Sequence, residues 1–468
     1  MAATLPLAII SLAACALAST PAAAQVSFET GVSPWVSSPQ WVVVADLNED
    51  GDEDLIVASP EVDAVSVMLG DGSGLFTPSL QYPAGQTSSH VAMGDFDGDG
   101  HLDGVVTNFM ASSVAILIGD GGGGFLQPPL IHPSGNIPMS LRPGDFNEDG
   151  LLDVAVSCHG SSSVALHLGD GLGGLGPPSF VPTSSFPSYV TASDFNEDGH
   201  LDLLVSSSQE SNFMVFLGDG AGGFPQSDVF PLGVDDAIWF VTLGDLNLDG
   251  HVDLVVPCPV MNAIGVFLGD GLGGFESPEG FAAGIYPRSA AVADLDLDGL
   301  PDIAAMNSAS NEVSVLLGDG TGSFAPPINV PVGPYCISLV SRDLDGDGRI
   351  DIAVACQSAD SLALLFNRSS YPTTELFRRG DVNGDGELHV DDPVVLLGAL
   401  FGPVWPELTC ADAADVDDSG RIDIADAVRL LMYLFTSSTP PPEPPGPTLC
   451  GGDLTPDELP ACSFSGCP

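Results

Sequence analysis

The residues best able to do chemistry in this chain lie in one nine-residue string that returns seven times. The copies are DLNEDGDED (46–54), DFDGDGHLD (95–103), DFNEDGLLD (145–153), DFNEDGHLD (194–202), DLNLDGHVD (245–253), DLDLDGLPD (294–302) and DLDGDGRID (343–351). Each sets Asp first, Asp or Asn third, Asp fifth, Gly sixth and Asp ninth. Carboxylates packed this closely repel one another until something positive sits among them. Alternating side-chain oxygens, a glycine for a sharp turn and a late carboxylate describe a loop wrapped around a hard cation, and Ca2+, with roughly six to eight oxygen ligands, suits it. Asp and Gly also favour ordinary turns, so one copy alone is ambiguous. Seven copies in register favour the cation.

The elements that must position these strings repeat with them. The strings start at 46, 95, 145, 194, 245, 294 and 343, in steps of 49 to 51 residues, and such a period signals a repeat architecture. Within each unit an apolar run such as WVVVA (41–45) leads into the string, and a β-branched run such as LIVAS (55–59) leaves it. A third run ends in Gly-Asp-Gly, as in VSVMLGDG (65–72), and Phe or Leu (Phe76, Phe125, Leu175, Phe224, Phe275, Phe324) opens a fourth, Pro-broken segment. Short alternating runs with Gly-rich turns and no helical period are strands. Four strands per unit, seven times, predict an all-β, seven-bladed β-propeller. A calcium-bound β-roll, with its period of about nine residues, is excluded. The seventh unit lacks a fourth strand after LALLFN (362–367), while VSFETG (26–31) precedes the first unit. The N-terminal strand is therefore expected to complete the last blade, closing the ring and removing exposed sheet edges.

The units over roughly residues 26–367 resemble FG-GAP/VCBS repeats, the blades of the integrin α-subunit propeller and of many secreted bacterial proteins. That resemblance implies calcium in the loop between the first and second strands of each blade. Carried onto this sequence, the ligands would be Asp46, Asn48, Asp50 and Asp54 in the first unit and Asp95, Asp97, Asp99 and Asp103 in the second, with the carbonyl of His101. Next come Asp145, Asn147, Asp149 and Asp153, then Asp194, Asn196, Asp198 and Asp202. The last three units offer Asp245, Asn247, Asp249 and Asp253; Asp294, Asp296, Asp298 and Asp302; and Asp343, Asp345, Asp347 and Asp351. Asn keeps an oxygen but loses a charge, so those loops should bind more weakly. His101, His200 and His251 share the carbonyl-donating position, so their side chains should point outward, away from metal or catalytic work. The resemblance also implies that calcium loops occupy the bottom face and ligands the top. Counting back five or six residues from the first loop Asp gives Trp41, His90, Tyr189, Trp239, Phe240 and Arg288. Of these, Trp41, Tyr189 and Trp239 are the candidate contacts for a glycan or protein, and the competing reading is that the rings plug the core between blades.

After a polar linker (368–379), GDVNGDGELHVDDPVVLLGALF (380–401) and ADVDDSGRIDIADAVRLLMYLF (414–435) each join a twelve-residue loop to an apolar helix. The first loop offers Asp381, Asn383, Asp385 and Asp392, with Gly386 at the turn; the second offers Asp415, Asp417, Ser419, Asp423 and Asp426, with Gly420. This is EF-hand-like spacing with Asp for the terminal Glu. Two such loops, each followed by a helix, resemble a type I dockerin domain, which implies two further Ca2+ beside about seven in the propeller. Dockerins dock onto cohesins through the tenth and eleventh loop positions, often Ser-Thr; here these are Val390-Asp391 and Ile424-Ala425. A cohesin-like or other surface partner, or a purely structural role, stays open. A Pro-rich tail (437–468) follows, and Cys410, Cys450, Cys462 and Cys467 admit three disulfide pairings. Within the propeller Cys336 and Cys356 should lie opposite each other and bridge, leaving Cys158 and Cys258 as buried thiols.

The chain carries 63 acidic and nine basic residues, all nine Arg, for a net charge of −54. Nucleic acid and anionic membrane surfaces would repel it, as would an acidic polysaccharide such as pectin. Adaptation to high salt would leave the same acidity. At 44% hydrophobic residues the chain is expected to fold. Residues 1–24 read as a secretory signal peptide, although Leu12-Ala13-Ala14-Cys15 also fits a lipoprotein box with Cys15 as the anchor. No later stretch approaches the roughly 20 apolar residues of a membrane span. The expected order is signal peptide (1–24), propeller (25–367), linker (368–379), dockerin-like domain (380–436) and tail (437–468). The favoured function is a secreted or surface-held, non-catalytic binding or adhesion protein with a glycan or protein ligand. The alternative is a carbohydrate-active enzyme, a polysaccharide lyase or hydrolase, on a propeller scaffold. An enzyme should break the repeat with clustered acids, His or Arg; only Arg142, Arg342, His159 and Glu210 stand out, and no nucleophile motif is present.

Overall fold

Short apolar runs separated by tight glycine turns fold into seven antiparallel sheets of four strands each. The structure is a computed structural model, and it describes residues 26–369 together with Val428 and Leu431. The signal segment, the paired loops with Asp381 to Asp392 and Asp415 to Asp426, and Cys410, Cys450, Cys462 and Cys467 lie outside the described residues. In the second blade the strands are Ser88–Gly94, Asp103–Asn108, Ser113–Leu117 and Leu130–Pro133, and this order recurs around the ring of an all-β, seven-bladed propeller. The N-terminal strand Phe28–Thr30 pairs with Ser361–Asn367, setting Glu29 opposite Phe366, and so supplies the fourth strand of the last blade.

Burial follows strand position. The second strand of every blade, such as Asp54–Ser59 or Asp302–Asn307, is buried at all six residues because both of its faces meet neighbouring blades. The fourth strands are largely exposed; they are short, and most end in proline, as at Pro83, Pro133, Pro182 and Pro331. Brevity and proline both discourage pairing at an open edge. Seven apolar clusters fill the ring, one at each junction between adjacent blades; the closing junction joins Val36, Val42 and Leu55 to Leu344, Ala353 and Phe366. Phe76, Phe125, Leu175, Phe275 and Phe324 do not open the fourth strand; each bridges back to the glycine that ends the third run, as Phe76 does to Gly70. In the first blade the fourth strand begins at Leu80, since the ring must first turn inward to cap the core. Cys336 and Cys356 pair across the first two strands of the seventh blade and form the disulfide, while Cys158 and Cys258 are buried free thiols.

Candidate functional site

Each acidic string spans the hairpin between the first and second strands, and the backbone explains its composition. The first Asp folds the loop over itself: Asp46 accepts hydrogen bonds from Asp50 N–H through Oδ1 and from Gly51 N–H through Oδ2, at 3.1 and 3.0 Å. The sixth-place glycine follows from φ near +90°, as at Gly51 and Gly100, a conformation costly for any residue with a Cβ. The ninth Asp is a latch. Asp54 Oδ2 accepts from Leu47 N–H at 2.9 Å and Oδ1 from Gly70 N–H at 2.8 Å, tying the loop to the turn after the third strand. The same two bonds recur at Asp103, Asp153, Asp202, Asp253, Asp302 and Asp351, with Asn367 N–H replacing the glycine in the seventh blade. All seven latch carboxylates are fully buried. Burial outweighs these bonds and raises each of them, Asp302 to about 7 and Asp351 to about 6.

The remaining carboxylates divide the loops into two kinds. Where the third residue is Asn, its amide is an internal donor: Asn48, Asn147, Asn196 and Asn247 each give a hydrogen bond from Nδ2 to the fifth-place Asp50, Asp149, Asp198 or Asp249 at 2.8–2.9 Å. Where it is Asp, carboxylate oxygens converge within 4.8 Å of one another: Asp95, Asp97 and Asp99; Asp294, Asp296 and Asp302; and Asp343, Asp345 and Asp347. Asp298 belongs to the same loop and accepts the Leu300 N–H at 2.9 Å. The donor set is hard oxygen throughout, Asp296 is 4% exposed, and Asp345 Oδ1 is buried without a partner. Burying negative groups together is costly unless a cation joins them, so these loops fit Ca2+. A bound ion would supply positive charge and shared ligation, held by the first, third and fifth residues in the second and seventh loops and by the first, third and ninth in the sixth.

The loops also clasp the ring together, which repeat counting does not show. The turn after the third strand of one blade stands on the loop of the blade before it: Gly173 N–H donates to Phe96 O, Gly222 to Phe146, Gly273 to Phe195 and Gly322 to Leu246. The loop histidines do point out of their loops, but each meets a glutamate of the preceding blade: His101 Nδ1 with Glu49 at 2.6 Å, His251 with Glu197 at 2.5 Å, and His200 with Glu148. Hydrogen bonding to the glutamate raises each imidazole above its ordinary value. Arg342 pairs with Glu53 of the first loop at 3.0 Å.

At the other end of the first strands, Trp41 stacks on His90 with centroids 4.2 Å apart, and Phe240 lies 5.2 Å from Trp41 and 5.5 Å from Tyr189. These rings form one aromatic group beside a cavity of about 230 Å³ that runs along the first strands of the fifth to seventh blades. His90 is buried with both ring nitrogens unpaired, and burial, reinforced by Arg142, lowers it to about 3. Trp239 is not in this group; it faces Arg288, whose guanidinium lies 5.8 Å from the indole centroid. Trp239 and Phe240 lie in the irregular segment before the strand Thr242–Gly244, and their side chains part there. His159 packs on Phe186, and Glu210 accepts the Ser185 N–H.

Comparison with known proteins agrees with this geometry. No curated protein matches the chain significantly. Among solved structures, virginiamycin B lyase from Staphylococcus aureus matches at 14% identity over 73% of this chain and 99% of its own, with a TM-score of 0.51. A periplasmic gluconolactonase from Pseudomonas aeruginosa matches at 19% identity over 64% and 87%, with a TM-score of 0.50. A lectin from Agrocybe aegerita, described as recognising non-reducing terminal N-acetylglucosamine, matches at 19% identity over 63% and 81%, with a TM-score of 0.47. The lyase and the gluconolactonase are likenesses of fold alone. The FG-GAP-like repeat model matches residues 46–106, 95–156, 145–205, 194–256 and 294–354, each match spanning from one acidic loop into the next blade. With more than half its length so matched and a loop of the same build in every blade, the chain belongs to the FG-GAP-like repeat family.

Proposed function

We propose that this chain is an exported, calcium-binding propeller that acts as a non-catalytic extracellular binding or adhesion protein, attached through its C-terminal dockerin-like segment. The observation that carries the reading is the contrast between the two ends of the first strands. At the loop end every blade repeats the same latch and acidic turn, a framework for a cation. At the opposite end the repeat breaks into Trp41, His90, Tyr189, Phe240, Trp239 and Arg288. A stiff scaffold with one uniform face and one individual face suits recognition, since aromatic faces accept sugar rings and side chains alike. The Cys336–Cys356 disulfide and the signal-like N-terminus support an oxidising, extracellular setting.

The test is a glycan array probed with full-length protein, with calcium and with excess chelator, repeated for Trp41→Ala, Tyr189→Ala and Trp239→Ala. Binding that needs calcium and at least one of these rings supports the proposal. Turnover of a bound polysaccharide, read as new reducing ends or unsaturated products, would replace it with the enzyme reading.

A further inference from the structure

The first strand of the sixth blade, Pro287–Ala293, runs into its acidic loop, and the second, Asp302–Asn307, runs out of it. Residues just before the one and just after the other therefore share the face opposite the loops. There Tyr286, Arg288, Ser308, Ala309 and, from the seventh blade, Tyr335 line a hollow of about 360 Å³. Its two tyrosines are 39% and 48% exposed. Both tyrosines sit at positive φ, 61° and 50°. Their backbone N–H groups donate to Asn262 Oδ1 at 2.9 Å and Asn311 Oδ1 at 3.1 Å. Ser38, Thr87, Ile137 and Phe186 repeat that backbone in other blades, so the turn is architectural and the paired tyrosines are the local choice.

Arg288 gives the hollow its chemistry. Of the five arginines among the described residues, Arg342, Arg349 and Arg368 pair with carboxylates, while Arg142 and Arg288 do not. Its Nε is buried without a partner, its guanidinium is backed by the Trp239 ring, and the lining carries no acid. In a chain with net charge −54, a guanidinium held on an aromatic plane and kept clear of acids is a receptor for an anion. Tyrosines on two blades add apolar ring faces that suit a pyranose.

We propose that this hollow binds a sugar bearing a carboxylate, such as a uronic or sialic acid at the end of an otherwise neutral glycan. The carboxylate pairs with Arg288 and the ring lies against Tyr286 and Tyr335. The overall negative charge disfavours a polyanion along its whole length, but a single terminal acid feels mainly its near neighbours, because distant charges are screened beyond about 8 Å at physiological salt. The proposal rests on the binding reading above and names the ligand class for one part of that face.

The full chain in millimolar calcium is titrated with methyl glucuronide, sialyllactose, methyl glucoside and acetate, followed by ligand-detected NMR and tryptophan fluorescence. Methyl glucuronide or sialyllactose should bind and perturb fluorescence, an effect lost in Trp239→Phe. Methyl glucoside and acetate should each bind about tenfold more weakly, and Arg288→Gln should weaken the acidic sugar by about tenfold. Tyr335→Ala should weaken it less, with the calcium-dependent Tm unchanged in both variants. Equal binding of the glucoside, indifference to Arg288→Gln, or no binding of either acidic sugar overturns the proposal. Preference for a peptide C-terminal carboxylate also overturns it. Glycan binding that depends on Trp41 or Tyr189 but not Arg288 would leave the wider binding reading standing while this assignment falls.

Discussion

In the sixth blade, Asp294, Asp296 and Asp302 bring carboxylate oxygens within 4.8 Å of one another, and no arginine or histidine pairs with them among the described residues. In the seventh, Asp343, Asp345 and Asp347 gather as closely, but Arg349 meets Asp347 at 2.6 Å. Arg368 adds bonds to Asp345 at 2.8 Å, to Asp347 at 2.7 Å and to Glu29 of the N-terminal strand at 3.2 Å. Nearly the same string thus meets its own repulsion in two ways, one awaiting an outside cation and one carrying guanidinium of its own. The four Asn loops fall between, with an amide donor in place of one charge. A repeat of identical pattern need not be a repeat of identical cation demand.

The broadest way to break the comparison is to remove the cation. At ten times a dissociation constant of about 0.1 mM, each occupied loop contributes about 1.4 kcal/mol. If every loop but the seventh responds, the total is about 8 kcal/mol. An unfolding entropy of about 2.1 cal/mol/K per residue gives about 0.7 kcal/mol/K for the unit Val26–Ser369. Excess chelator should then lower Tm by on the order of 10 °C relative to millimolar calcium. Calorimetry showing the same Tm in both would mean that the carboxylates are not held by a cation in any blade.

Acid separates the loops from the aromatic group at the other end of the first strands. His90 has its folded value at about 3 against an ordinary 6.5, so as pH falls the unfolded chain takes the proton first. Its contribution is intact above pH 6.5 and drains away between 6.5 and 3, about 2 kcal/mol of it by pH 5. The loop carboxylates act with the opposite sign when no ion is bound. Asp302 at about 7 and Asp351 at about 6 lie above the ordinary 3.8, so the native state gains protons, and stability, as pH falls through those values. In chelator, His90→Phe should therefore gain stability between pH 7.5 and 5, a gain of which the histidine offsets about half in the natural chain. Parallel pH profiles for the two proteins would show that His90 is not the group responding.

The period made most of this framework legible. Because one unit maps onto the next, the seven blades, the N-terminal strand closing the last of them and the Cys336–Cys356 pair all follow from counting. Contacts between blades do not, since they join different positions of neighbouring units. A trace of them is present nonetheless. Glu49, Glu148 and Glu197 fill the fourth loop position in three units, and His101, His200 and His251 fill the seventh position of the unit after each. Where the fourth position is Leu248, the next seventh is Leu300 instead. The aromatic group was readable as a level, five residues before the loop, but its partition was not. Trp239 sits one residue off that level and stands against Arg288 instead.

Single-loop substitutions sharpen the contrast at about 1.4 kcal/mol, the value of one site. Asp296→Asn should lower Tm by roughly 2 °C in calcium. In chelator it should cost nothing or even stabilise, because it then removes repulsion from a buried cluster without losing an ion. Asp345→Asn should cost about the same with and without calcium, because its partner is Arg368 in either condition. Equal calcium dependence for the two variants, measured by thermal unfolding, would erase the distinction between the loops.

The smallest expected effect tests the guanidinium directly. Arg368 follows the strand that closes the ring and touches both the N-terminal strand, through Glu29, and the last loop, through Asp345 and Asp347. At 37% side-chain exposure its ion pairs are partly screened, and a network of this kind is worth about 1 kcal/mol. In chelator, Arg368→Gln should therefore cost about that much, roughly 1–2 °C in Tm. In calcium the cost should shrink, because Asp345 is freed, Asp347 keeps only Arg349, and the loop with Asp343 becomes available to an ion. The variant should thus bind one more calcium than the natural chain, counted by elemental analysis after equilibrium dialysis. An unchanged count together with an unchanged chelator response would mean that the seventh loop already holds its ion beside Arg368, and that the guanidinium serves only to fasten the closing strand.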